Sequence, residues 1–153
     1  MDLEEQYDRI YRYCYFKVRH RQLAEDLTQE TFLRFFKNIG YRESGQAIRI
    51  LYTIARNLCI DEFRRPVADS LPEEPEAEQG AALEENLVLT VSIKTALERL
   101  DEEGRELILL RYVDEIPVGD IARIMNMSRF SVLRRTKKYI HQLKELLGGE
   151  FCE

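Results

Sequence analysis

Residues 128–142 read SRFSVLRRTKKYIHQ, and from Ile121 to Lys144 the chain has no Asp or Glu. Guanidinium and ammonium groups with no carboxylate among them are suited to phosphate: they form charge-assisted hydrogen bonds to oxyanions and displace counterions from a nucleic-acid backbone. The whole chain pulls the other way, with a net charge of −5 at pH 7 and a pI near 5.3. The cations are therefore a local device. A protein this acidic gains little from nonspecific attraction to DNA, so holding a specific duplex calls for help from a larger partner.

The cations must be carried by an element that can present them. In PVGDIARIMNMSRFSVLRRT, Ala122 falls where two helices approach closely, Asn126 where a turn wants a left-handed residue, and Ser128 where an N-cap belongs. Val132 falls where the second helix packs back on the first. Those offsets predict a helix-turn-helix with a basic second helix. In that arrangement the first turn, Ser128, Arg129, Phe130 and Ser131, faces base edges. Arg134, Arg135, Lys137 and Lys138 then follow the phosphates. Helices in the C-terminal half are expected at about 83–100, 102–113, 118–125 and 129–147, the last pair forming the helix-turn-helix.

The N-terminal part is also expected to be helical. Tyr7, Ile10, Tyr11, Cys14 and Val18 recur at the spacing of one helix face. QLAEDLTQETFLRFFKNI carries a stripe of Leu23, Leu27, Thr31 and Phe35 beside a second of Phe32, Phe36 and Ile39. In QAIRILYTIARNLCIDEFRR, Ala47, Leu51, Ile54 and Leu58 are expected inward, and Pro66 ends the helix. The loop GYRESG joins these two segments.

Between the halves, PVADSLPEEPEAEQGAALEEN is rich in acids and prolines, has no base, and offers too little apolar surface to offset its ordering entropy. The expected fold class is therefore all-α: two small helical domains, residues 1–65 and 87–153, joined by an acidic flexible linker over 66–86, with the helix-turn-helix in the second.

Several function classes are excluded by what is missing. His20 and His141 lie in opposite domains, and no Gly-rich phosphate loop, nucleophile elbow or metal-spaced cluster is present. No catalysis, cofactor or metal is expected. Cys14, Cys59 and Cys152 are odd in number and never form a CxxC pair, so buried thiols in a reducing compartment are expected, with Cys152 exposed. No run approaches the ~20 apolar residues needed to span a bilayer, and MDLEEQYDR lacks the features of a signal peptide, which predicts a cytoplasmic chain without membrane insertion.

AEDLTQETFLRFF followed by LYTIARNLCIDEFRR, and then ALERLDEEGRELILLRYVDEIPVGDIARIMNMSRFSVLRRTKKYIHQL, resemble the second and fourth conserved regions of the extracytoplasmic-function (ECF) sigma factors of bacterial RNA polymerase. The resemblance implies a sigma factor that binds core polymerase through the β′ clamp helices and the β flap and directs initiation at promoter DNA. By that resemblance Glu25, Asp26, Gln29 and Glu30, with Leu33 and Phe36, dock on polymerase. Tyr41 and Arg42 in the loop, with Tyr52, Arg56, Asn57, Asp61, Arg64 and Arg65, supply the cations and π-faces that take the unpaired minus-ten strand. The helix-turn-helix reads the minus-thirty-five element. The linker would thread the RNA exit channel, with Glu73, Glu74, Glu76 and Glu78 imitating nucleic acid.

An anti-sigma protein is a partner common in the family, although no residue here names one. The chain departs from the family pattern in having Ile50 where a Trp is frequent, Phe130 where a small residue is common, and Leu133 where a polar one is usual. The rival reading is a free helix-turn-helix repressor or activator that binds a duplex operator without polymerase.

Overall fold

The computed structural model describes residues 2–38, 40, 45–64 and 94–148, which fall into two compact units. Tyr41, Arg42, Arg65, Cys152 and the acidic linker over 66–86, including Glu73, Glu74, Glu76 and Glu78, lie outside the described residues.

The N-terminal unit is built from α1 (Leu3–Val18), α2 (Arg21–Lys37) and α3 (Ala47–Arg64). Both ends of α1 and the start of α2 have a local cause. The Asp2 carboxylate accepts from the Glu4 amide at 3.1 Å to cap α1, and Arg19 stops it by adopting φ 58°, its amide donating back to Tyr15 O at 2.8 Å. His20 then caps α2, with Nδ1 accepting from the Leu23 amide at 3.1 Å, so the ring proton sits on Nε2. Two residues thus separate the two helices, and α1 turns directly into α2.

All three helices pack on one another, and the core between them is aromatic and close-fitting. Ile10, Tyr13 and Cys14 of α1 meet Ala24, Leu27, Phe32 and Phe35 of α2 and Leu51, Tyr52, Ala55, Leu58 and Cys59 of α3, all buried. Tyr13 and Tyr52 stand edge to face with centroids 5.5 Å apart, and Tyr7 stacks on Phe32 at 5.5 Å. Thr28 and Thr31 are buried too, each hydroxyl donating to the carbonyl four residues back at 2.7 Å, which disposes of two polar groups inside an apolar layer. Cys14 and Cys59 are buried free thiols, as expected. The hydrogen bond from Cys59 lowers the Cys14 pKa against the opposing effect of burial.

The inward stripe of α1 is rotated from the one expected. Gln6, Ile10, Tyr13, Cys14 and Lys17 are buried, whereas Tyr7, Tyr11 and Val18 are only half-buried. Burial of the alkyl stem of Lys17 explains how a cation joins that face. On α3, Ala47 and Ile54 likewise sit at the edge of the core, while Tyr52 and Ala55 take the centre.

The C-terminal unit contains a short helical segment α4 over 94–99, then α5 (Glu102–Ile108), α6 (Val118–Ile124) and α7 (Arg129–Leu146). Asp101 caps α5, its Oδ1 accepting from the Gly104 amide at 2.8 Å. Beyond α5 the helix widens over Leu109–Val113, where the Asp114 amide donates to Leu109 O at 2.9 Å, five residues back. Ala96, Leu100, Leu107, Leu110, Ile116, Ile121, Val132 and Tyr139 are buried.

Candidate nucleic-acid interface

The turn before α7 has the geometry expected of a helix-turn-helix. Asn126 takes φ 58°, the left-handed conformation that an Asn tolerates better than a branched residue. The Met127 amide donates to Ala122 O at 2.9 Å, and Ser128 Oγ accepts from the Ser131 amide at 3.0 Å. Val132 is wholly buried and Ala122 nearly so, which lets the two helices close on each other. Ser128 and the Ser131 amide are therefore engaged in capping α7. Arg129 and Phe130 remain exposed in its first turn.

The outer face of α7 follows from its inner one. Val132, Thr136 and Tyr139 point inward, so Phe130, Leu133, Arg134 and Lys137 fall on the opposite side at helical spacing. Arg134, Lys137 and Lys138 are exposed. The Arg134 guanidinium lies 6.0 Å from the centroid of the Phe130 ring, and Lys138 Nζ lies 5.3 Å from that of Tyr139.

Arg135 departs from the expected phosphate-tracking row. Its Nη1 donates to Glu103 Oε1 at 2.8 Å, tying α7 to α5. Sequence spacing placed it among the cations of α7, but its side chain leaves the helix on the flank facing a carboxylate 32 residues earlier.

That ion pair belongs to a larger clasp. The Tyr139 hydroxyl lies 3.0 Å from Asp101 Oδ2 and 3.2 Å from Glu103 Oε2, and its single proton serves one of these carboxylates at a time. Burial, then the hydrogen bond to Asp101, push the Tyr139 pKa well above its usual value. A Cβ on Gly104 would come within 2.6 Å of the Tyr139 ring, so only glycine lets α5 and α7 approach this closely. Asp101, Glu103 and Gly104 position α7, and sequence reading missed all three. A glycine inside a short helix, just after a good capping residue, is the signal that could have found them.

In the N-terminal unit, the outer face of α2 carries Asp26, Gln29 and Leu33, all exposed, with Leu33 at 57%. Glu30 shares that side and holds Arg34 at 2.9 Å, while Asp26 accepts from Gln22 at 3.2 Å. Glu25 is half-buried on the flank nearer α1, where its charge helps burial raise the pKa of Tyr11. Phe36 is exposed at its rim, with its ring against Phe32 and Phe35.

On α3, Asn57, Asp61 and Arg64 are exposed along one face and Arg56 is half-buried beside them. Tyr52 is not with them. At 0% exposure and edge-on to Tyr13, it is a core residue and cannot offer a π-face to a base. Phe63, passed over in the sequence, is 57% exposed and lies seven residues beyond Arg56, on the same side of the helix.

Residues 3–67 match the family described as Sigma-70 region 2, and residues 90–143 match Sigma-70, region 4. The class is thus a two-region sigma factor. Among its relatives, the ECF RNA polymerase sigma factor BldN of Streptomyces coelicolor is 32% identical over 97% of this chain, which spans 60% of BldN's own length. The ECF RNA polymerase sigma factor SigW of Bacillus subtilis is 30% identical over 92% of this chain and 81% of SigW. The chain belongs to the ECF RNA polymerase sigma factors. A chain in the 1.8 Å structure of an RsbN–BldN complex aligns over 94% of this chain and 86% of its own length, at 24% identity and a TM-score of 0.37.

Proposed function

We propose that the protein binds core RNA polymerase and directs promoter-specific initiation, acting in the cytoplasm without an enzymatic activity of its own. The observation that carries this reading is the pairing, in one chain, of a region 2 unit whose α2 presents an acidic and apolar outer face with a region 4 unit whose α7 presents a cationic one, free of acids from Arg129 to Lys144. Asp26, Gln29, Glu30 and Leu33 dock on the β′ clamp helices, with Glu25 and Phe36 at the margin, and the C-terminal unit engages the β flap. The melted minus-ten strand runs along Arg56, Asn57, Asp61 and Arg64, with Phe63 supplying the ring that Tyr52 cannot. Tyr41, Arg42 and Arg65 extend that path. In α7, Arg129, Arg134, Lys137 and Lys138 hold the minus-thirty-five duplex.

No described helix is long and apolar enough to cross a membrane. The division of labour runs from residues 1–65, through the acidic segment at 66–86, to residues 87–153.

The test is promoter-directed transcription on genomic fragments with purified bacterial core polymerase. Discrete transcripts that appear only when the protein is added support the proposal. Tight binding to duplex fragments without polymerase, no transcripts and no comigration with core would support a free regulator instead. Within the same assay, the double variant Asp26→Ala, Gln29→Ala is expected to lose polymerase affinity while the isolated protein stays folded by circular dichroism.

A further inference from the structure

Phe130 is 72% exposed and Leu133 55%, and they are adjacent on the outer face of α7 at a spacing of three residues. Two large apolar side chains are out of place in the middle of a cationic surface. Nothing folds over them among the described residues, and the Arg134 guanidinium lies against the Phe130 ring. Arg129, Lys137 and Lys138 flank them, all exposed, and no acid interrupts the segment from Ile121 to Lys144.

The occupant of this patch must therefore be strongly anionic around its edge and apolar at its centre. Major-groove DNA meets both requirements at one place only, the thymine 5-methyl group, which stands among acceptor and donor edges and between two phosphate rows. An apolar protein surface would fill the patch but leave the surrounding cations without partners.

We infer that Phe130 and Leu133 are specificity-determining residues that read thymine methyl groups at neighbouring base-pair steps of the minus-thirty-five element. This rests on the reading of α7 as the recognition helix of a sigma factor. The two Cβ atoms, about 5–6 Å apart at this helical spacing, reach over adjacent steps of a duplex. Arg134 is held by the Phe130 ring beside the phosphate row, so the apolar contact also positions a cation.

Replacing thymidine with deoxyuridine removes the methyl group and leaves every Watson–Crick hydrogen bond in place. With the full chain bound to core polymerase, each thymidine of a minus-thirty-five element recovered by the transcription assay is exchanged singly, and promoter binding and transcript yield are measured. One or two exchanges are expected to weaken binding about fourfold, the worth of one buried methyl group. Phe130→Ala should erase the loss at one of these positions and Leu133→Ala at the other. Because both side chains are exposed, neither variant should disturb folding, and Leu133→Ala should leave the salt dependence of binding unchanged, since it neither removes nor repositions a charge.

If transcription is intact but no exchange has an effect, the inference is overturned and the sigma-factor reading stands. The same holds if the alanine variants keep the full thymidine preference, which would assign the patch to a protein partner. If no promoter fires with added polymerase, both readings fall together.

Discussion

Tyr52 in the N-terminal unit and Phe130 in the C-terminal unit are both aromatic residues in segments that meet DNA in the proposed function, and the fold treats them in opposite ways. Tyr52 is wholly buried against Tyr13, at the centre of three helices whose facing side chains are mostly apolar. Phe130 is left 72% exposed on a helix held in place by a polar clasp. The N-terminal unit buries Tyr13, Phe32, Phe35 and Tyr52 in its core and leaves Phe36 and Phe63 exposed. The C-terminal unit fixes α7 with carboxylates, a tyrosine and an arginine, and leaves Phe130 and Leu133 outside. Exposure of a ring is thus a better guide to its role than its position in a motif.

The largest expected effect tests that contrast directly. Tyr52→Ala should destabilise the protein by about 3–5 kcal/mol, the cost of emptying a large site in a close-packed core. Phe130→Ala should change stability by less than about 0.5 kcal/mol, as an exposed substitution does. Denaturant unfolding of the two variants measures both. Similar losses in the two would erase the distinction drawn here between a core ring and a surface ring.

A smaller effect is expected at the clasp. Gly104→Ala places a methyl group within 2.6 Å of the Tyr139 ring and should cost about 1–3 kcal/mol through overpacking. Ring displacement would also break the Tyr139 hydrogen bonds to Asp101 and Glu103. Weaker duplex binding with undiminished polymerase affinity, measured by comigration with core, would show that the damage stays within the C-terminal unit.

How much of this was legible in the sequence depends on how local the deciding interaction is. The turn before α7 could be read because Ala122, Asn126, Ser128 and Val132 each answer to a rule spanning a few residues. Helix bounds were legible for the same reason, within a residue or two for α2, α3 and α7. The stripe of α1 was not. Tyr7 and Tyr11 satisfy helical periodicity as well as Gln6 and Tyr13 do, and only the position of α3 selects between the two faces. Arg135 looked like its neighbours because its partner, Glu103, lies far away in sequence. Periodicity gives a face, and tertiary packing decides which residue at its edge turns inward.

The two adjacent arginines offer a more sensitive comparison. Arg134→Ala should lower the slope of log binding constant against log salt by about 1, because it removes one phosphate contact. Arg135→Ala should leave that slope almost unchanged and lower stability by no more than about 1 kcal/mol, since its partner is a partly exposed carboxylate. Salt titrations of duplex binding by the polymerase-bound protein distinguish them. Equal slopes in the two variants would mean that Arg135 leaves Glu103 when DNA arrives.

The smallest effect concerns pH. The Tyr139 hydroxyl faces Asp101 and Glu103, Arg135 closes the same cluster, and Lys138 lies over the ring. Burial and the two carboxylates favour the neutral phenol in the folded state, so its pKa stands above the value of about 10 that it has in the unfolded chain. A raised folded pKa means that the native state holds the proton more tightly above pH 10, and stability falls as pH rises. The contribution is fully present below about pH 10 and is lost progressively as pH climbs through the folded pKa. Tyr139→Phe removes the proton and keeps the ring on Gly104. The stability difference between wild type and this variant should therefore be constant from pH 7 to about pH 9.5 and shrink above it. A difference that stays flat to pH 11 would mean that the phenol is not held by those carboxylates, and the polar clasp that sets the C-terminal unit apart would reduce to the Arg135–Glu103 pair.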